Sequence, residues 1–396
     1  MSVAAENFDA WIRSSFRQMN TALEELYFAQ EDRANVEGIG EPIKKSLAEE
    51  GLSLVRPLVA EGNTNEGFER TFGTLGNLGL LFAALRRHEL TNPAREQKSP
   101  FDEASALGMH IAASLGVVPR FANVHLNHHN RALDGVPKSF TTLKDEKVFN
   151  DYNTFSILCY QRAGDALARI PALGISNPAT ALLLRDARAA LEDVLTYNEL
   201  LFAKLDPDRF FYSVRPYFKP YRVGRTEYRG ANAGDFSAIN EIDLLLGVCR
   251  GNDPYYSQLL VDKMLYLTPE DQARLRACLT FRPLLDDFVD AIPGSGKREW
   301  FKAHAALFVD VCAAHGKAAV QHHDKLVDTF IVKKTRELEQ KHLAQITASG
   351  PPLPVLVKAL EKLRDLRAAV PSAEFETAYG KLKLVTQAAG LAASPS

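Results

Sequence analysis

Apolar residues recur along most of this chain at spacings of three and four, and that period admits helices and little else. Within residues 8–29, Ile12, Phe16, Met19, Leu23 and Leu26 form one such stripe. Asn177-Pro178 reads as a helix cap followed by proline at the first helical position. It leads into Leu184, Ala187, Leu191, Val194, Asn198 and Leu201, and Asp206-Pro207 stops the run. Thr268-Pro269-Glu270-Asp271 opens another helix through Leu275 and Cys278. The longest candidate extends from about Glu299 to Thr347. Leu356, Leu360, Leu363 and Leu366 mark a later helix closed by Pro371. Alternating β-branched runs are nearly absent, so the expected fold is all-α.

The 396 residues allow two or three domains, and a boundary near residue 145 follows from Asp134-Gly135-Val136-Pro137 and the charged Lys144–Lys147. The expected division is a helical N-terminal region, 1–145, and a larger helical domain, 146–396. Residues 216–238, rich in glycine and aromatics, form the clearest irregular stretch, and irregular segments of that length inside a domain tend to be functional. A net charge of −2 provides no basic field for nucleic acid. Cys159, Cys249, Cys278 and Cys312 are too scattered for a zinc ribbon or a disulfide scaffold. With no membrane-span run and no signal-peptide core at the N-terminus, a cytoplasmic protein is expected.

Two histidine groups stand out. His125, His128 and His129 would share a helix face, but leucine fills the position of a metalloprotease glutamate, and a surface or interdomain hydrogen-bonding role is expected. His315 and His323 fall on a stripe with Phe308, Cys312, Ala319, Leu326 and Phe330, beside His322. A histidine there is either a satisfied core residue or a metal ligand. Arg215 sits among Phe210, Phe211, Tyr212, Tyr217 and Phe218. A guanidinium in such surroundings needs an anion, either an internal carboxylate or the carboxylate of an aromatic amino acid. Gly294-Ser295-Gly296-Lys297 fails as a phosphate loop, because no strand precedes it and Ala291 replaces the first glycine.

Together, Asp206-Pro207 with the double phenylalanine and Arg215, the stretch GANAGDFSAINEIDLLLGV from Gly230, and His323 followed by Leu326-Val327 resemble the heme-dependent indoleamine and tryptophan 2,3-dioxygenase superfamily. The resemblance implies a helical-bundle heme domain of that type. It implies His323 as axial ligand of iron protoporphyrin IX, Arg215 on the substrate carboxylate, and Phe210, Phe211 and Tyr212 beside the substrate. Asn232 and Gly234 would lie on a loop facing the amino acid or a heme propionate. Counting back from Ile170-Pro171 puts Ser156 at the family's distal serine and Tyr152 at a pocket phenylalanine. Thr347–Pro352 replaces the superfamily's glycine- and threonine-rich closing loop. In overall character the chain looks closer to a divergent branch, the monodechloroaminopyrrolnitrin synthases, which rearrange a chlorinated tryptophan.

The function expected is therefore a heme-dependent oxygenase using O2 on tryptophan or a substituted tryptophan. Ring rearrangement or hydroxylation is the enzymatic alternative, and a heme-binding protein without turnover the non-enzymatic one. Small-molecule partners are implied, without nucleic acid or membrane, and a homo-oligomer is compatible with the sequence.

Overall fold

The computed structural model describes residues 2–62, 66–232, 234–333 and 353–391, with the side chains at 326, 328, 330, 331 and 353 left aside. The helices are α1 (Val3–Arg13), α2 (Ser15–Phe28), α3 (Glu41–Glu61), α4 (Phe68–Arg87), α5 (Asp102–Leu115), α6 (Lys144–Ala168), α7 (Ile170–Leu173), α8 (Pro178–Lys204) and α9 (Pro207–Arg209). They continue with α10 (Ala238–Leu246), α11 (Pro254–Met264), α12 (Pro269–Thr280), α13 (Leu284–Ser295), α14 (Glu299–Gln321), α15 (Leu353–Arg367) and α16 (Tyr379–Ala388). A hairpin, β1 (Tyr221–Val223) with β2 (Thr226–Tyr228), pairs Tyr221 with Tyr228 and Val223 with Thr226. Among the described residues the fold is all-α apart from this hairpin, which occupies part of the stretch expected to be irregular. Gly224 makes its tight turn at φ +58°.

The sequence signals for helix starts have direct counterparts. Asn177 accepts from the Ala179 amide at 2.9 Å to open α8, and Thr268 accepts from the Asp271 amide at 3.2 Å to open α12. The N-terminal stripe is interrupted. Ser14, at φ −123° and ψ −97°, separates α1 from α2, and its hydroxyl donates to the Ala10 carbonyl at 2.7 Å. The break rotates the buried face, so Asn20, Glu24 and Tyr27 go inside while Leu26 is 41% exposed.

The chain forms two compact units. The first comprises Met1–Asp151, Lys204–Asp235 and Thr329–Leu356. Its central element is α4, buried on all sides from Phe72 to Leu85. Two glycines on α4 let other segments approach. A Cβ at Gly79 would lie 2.2 Å from the Phe121 amide nitrogen, and one at Gly76 would lie 2.4 Å from the His125 ring. Arg87, at the end of α4, forks onto buried Glu24 at 2.8 Å through both Nε and Nη2, and its Nη2 also donates to the Tyr212 carbonyl at 2.9 Å. The ion pair thereby fixes α2, α4 and the segment that leads to Arg215.

The second unit comprises Tyr152–Ala203, Phe236–Asp328 and Val357–Ser396. Leu184 and Leu191 of α8, Ile242 and Leu245 of α10, Phe288 of α13 and Phe301 and Phe308 of α14 are fully buried there. Its polar centre is Asp243. The carboxylate accepts from Tyr256 at 2.7 Å, from His315 Nε2 at 2.6 Å, and from Arg367 through Nε at 2.9 Å and Nη2 at 2.8 Å. Burial works to raise this carboxyl, but the Arg367 charge and the His315 hydrogen bond hold it well below the ordinary carboxylate range. His315 is thus a core histidine paired with Asp243.

The first histidine group departs from expectation. Asn123–Leu126 is a single 3₁₀ turn, so His125, His128 and His129 do not share a helix face. His125 is 3% exposed and lies inside the first unit, not on the surface. Its Nδ1 accepts from the Ala122 amide at 2.9 Å, which leaves Nε2–H to donate to the Phe72 carbonyl at 2.9 Å. Burial, helped by the Lys138 charge, pushes its pKa down to about 3.

Because the folded chain keeps His125 neutral, its contribution to stability is complete above the unfolded value of about 6.5 and is lost as pH falls toward 3. The slope is about 1.4 kcal/mol per pH unit. Denaturant midpoints between pH 7 and pH 4 should fall more steeply for the parent chain than for His125→Gln, and equal slopes would remove His125 from the acid response. Gly79→Ala should lose at least ~1–3 kcal/mol, since the Phe121 backbone must move. An unchanged melting temperature would show that the segment is free to shift.

Candidate functional site

The aromatic segment around Arg215 is built by two changes of helical pitch. Asp206 caps α9 by accepting from the Asp208 and Arg209 amides at 2.8 and 2.9 Å. Phe210–Val214 then widens to a π-helical turn, closed by the Arg215 amide on the Phe210 carbonyl, and Arg215–Phe218 tightens to a 3₁₀ turn. Pro216 has no amide hydrogen to continue the wider ladder. Inserted π turns occur often at functional positions.

Arg215 ends with an unmet need. Its Nη2 is buried, and no group among the described residues accepts from it. The Phe211 ring centre lies 5.5 Å from the guanidinium carbon. Burial pushes the guanidinium pKa down to about 10, with no carboxylate among the described residues acting against it. Phe210 packs on Phe149 at 5.0 Å between ring centres, and Phe211 meets Tyr212 edge-on at 5.1 Å. Lys219, one helical turn further along the sequence, adds a second cation that sequence reasoning overlooked. Burial first, then the charges of Arg86 and Arg87, push its amine down to about 7.

Two amides of the glycine-rich loop find acceptors within it. The Asn232 amide donates to Asp235 at 3.0 Å, and the Gly234 amide donates to the Asn232 side chain at 2.8 Å. Asp235 is clamped by Arg120 at 2.8 Å and Arg229 at 2.7 Å. The amides of Asn232 and Gly234 therefore hold the loop's own shape.

The remaining candidates belong to the second unit. Tyr152, Phe155 and Ser156 share one face of α6 by their spacing. Tyr152 meets Phe155 edge-on at 5.9 Å, and Phe155 lies 5.2 Å from Tyr197. The Ser156 hydroxyl donates to Asn198 Oδ1 at 3.3 Å. Asn198 was visible only as a polar interruption in the α8 stripe. Phe155 and Leu158 remain 42% and 43% exposed, an apolar surface on α6 that the described residues leave uncovered.

His323 stands where α14 gives way to a second π-helical segment, His322–Val332. Its Nε2 is buried and has no partner among the described residues, whereas Nδ1 lies 3.1 Å from Asp324 Oδ1 and 3.3 Å from Arg364 Nη1. A buried imidazole nitrogen without a partner suits an axial ligand, and a heme iron needs only one such side chain. Among the described residues no three His, Cys, Asp or Glu side chains converge as a cage for a free metal ion. The adjacent His322 is exposed. The side chains of Leu326 and Phe330, and all of Thr347–Pro352, lie outside the described residues.

Over residues 2–389 the chain matches the family described as Monodechloroaminopyrrolnitrin synthase PrnB. It belongs to that family. The protein is accordingly a heme-dependent oxidoreductase, of the branch toward which the overall character of the sequence pointed. Among the described residues, no helix is long and apolar enough to cross a membrane.

Arg215 provides a direct test of the unmet charge. Arg215→Met should raise the melting temperature of the ligand-free protein, because a buried guanidinium without an anion costs about 1–3 kcal/mol. A destabilised variant would mean that an internal carboxylate holds the arginine.

Proposed function

We propose that this heme enzyme consumes O2 with an aromatic amino acid, and that tryptophan or a substituted tryptophan is its substrate. The observation that carries the reading is the buried guanidinium of Arg215 without an acceptor among the described residues. A planar fork of donors binds a carboxylate through two parallel hydrogen bonds, and the Phe211 ring beside it would wall an aromatic side chain. His323 would hold the heme iron through Nε2. The heme, when bound, supplies the oxygen chemistry.

The chain's own contribution is then positioning. Arg215 fixes the amino-acid end of the substrate. Ser156 gives its proton to Asn198, so its oxygen is left as an acceptor, suited to a ring N–H.

A second reading is favoured by the family itself. Its name denotes synthesis of monodechloroaminopyrrolnitrin, so rearrangement of a chlorinated tryptophan competes with ring cleavage or hydroxylation.

Mass spectrometry with isotopically labelled O2, supplied with tryptophan and with chlorotryptophan, separates these outcomes. Formylkynurenine carrying both labels at high turnover would establish ring cleavage, and a rearranged product from chlorotryptophan would establish the second reading. Absence of turnover with either, from a heme-loaded protein under reducing conditions, would contradict the enzymatic proposal. Arg215→Lys keeps the charge but loses the fork. Substrate affinity should fall about 10- to 150-fold, the equivalent of roughly 1.5–3 kcal/mol. Equal affinity in titrations of parent and variant would take Arg215 out of the substrate site.

A further inference from the structure

The two nitrogens of His323 have different surroundings, and the difference carries information. Nδ1 lies within reach of both Asp324 Oδ1, at 3.1 Å, and Arg364 Nη1, at 3.3 Å. A carboxylate only accepts and a guanidinium only donates, whereas a ring nitrogen of neutral imidazole bears either a proton or a lone pair. Nδ1 therefore cannot bond both neighbours at once. With the proton on Nδ1, Asp324 is the acceptor and Nε2 presents a lone pair. With the proton on Nε2, Arg364 donates to Nδ1 and Nε2 has no lone pair to offer. Arg364 also has somewhere else to go. Its Nη2 lies 2.8 Å from Asp365, and its Nη1 lies 3.9 Å from the Asp324 carboxylate.

We infer that Asp324 and Arg364 form a tautomer switch that sets the ligand strength of His323. The inference rests on the reading of His323 as the axial heme ligand. Iron at Nε2 requires the proton on Nδ1, so heme binding selects the Asp324 hydrogen bond and releases Arg364 toward the two carboxylates. A carboxylate accepting from the far nitrogen of a ligating imidazole makes that ligand more basic. Arg364, drawn to the same carboxylate, withdraws part of the effect. Neither residue touches iron or substrate, so both are positioning residues. Asp324 and Arg364 are 58% and 27% exposed along their side chains, and neither belongs to the buried core. Three residues after Arg364, Arg367 keeps its own hold on Asp243, so α15 stays anchored.

The test measures the iron–histidine stretching mode by resonance Raman spectroscopy, and the heme reduction potential, on the ferrous holoprotein and its variants. Asp324→Asn should lower the stretching frequency, raise the potential and weaken heme retention by about tenfold or more. Arg364→Gln should move frequency and potential the opposite way and retain heme at least as well as the parent. Shifts of the same sign in both variants, or no shift in either, would overturn the switch. His323→Ala separates this outcome from failure of the ligand reading. A histidine mode that survives in His323→Ala removes His323 as ligand. A mode lost there but unmoved in both charge variants overturns the switch alone.

Discussion

A carboxylate sealed away from water is tolerable only when its neighbours replace the lost hydration, and Asp243 binds the second unit together through that requirement. His315 comes to it from α14, Arg367 from α15 and Tyr256 from α11, while Asp243 itself lies on α10. Removing any one partner leaves buried charge or buried polarity unanswered. The consequence reaches the candidate heme ligand. Arg367 and Arg364 lie one turn apart on α15, and His315 lies two turns before His323 on the helical segment that begins with α14. The node that anchors the core thus also brings Arg364 to His323.

In the first unit several buried arginines are answered in the same manner. Arg87 has Glu24, and Arg120 and Arg229 share Asp235. Arg215 has no such carboxylate among the described residues, and its Nη2 is sealed from water. A sequence that pairs these other arginines and leaves one guanidinium buried and unanswered is departing from its own rule, and departures of that kind mark functional sites. Lys219, with its amine pushed down to about 7 by burial and then by the charges of Arg86 and Arg87, lies in the same cationic surroundings.

How much of this was legible in the sequence depended on the range of the interaction. Helix starts that hang on one local hydrogen bond, at Asn177 and Thr268, could be read directly. The all-α class followed from the period of the apolar residues. Arg215 was visible because an arginine among aromatics has few stable explanations. His323 came into view through its likeness to a family segment, since spacing alone left it level with His315, which proves to be core. Other features were hidden for physical reasons. The break at Ser14 and the π-helical turns at Phe210 and His322 change helical pitch without altering the three-and-four spacing. The buried turn of His125 depends on space left by Gly76, far away in sequence. Arg364 meets His323 only once α15 has docked.

The account stands or falls on which histidine holds the heme. The decisive measurement is the ultraviolet-visible spectrum of His323→Ala and His322→Ala after reconstitution with heme, each with and without added imidazole. The account predicts that His323→Ala loses the histidine-ligated spectrum and regains it with imidazole, while His322→Ala keeps the parent spectrum. A histidine-type spectrum retained by His323→Ala without imidazole would contradict it.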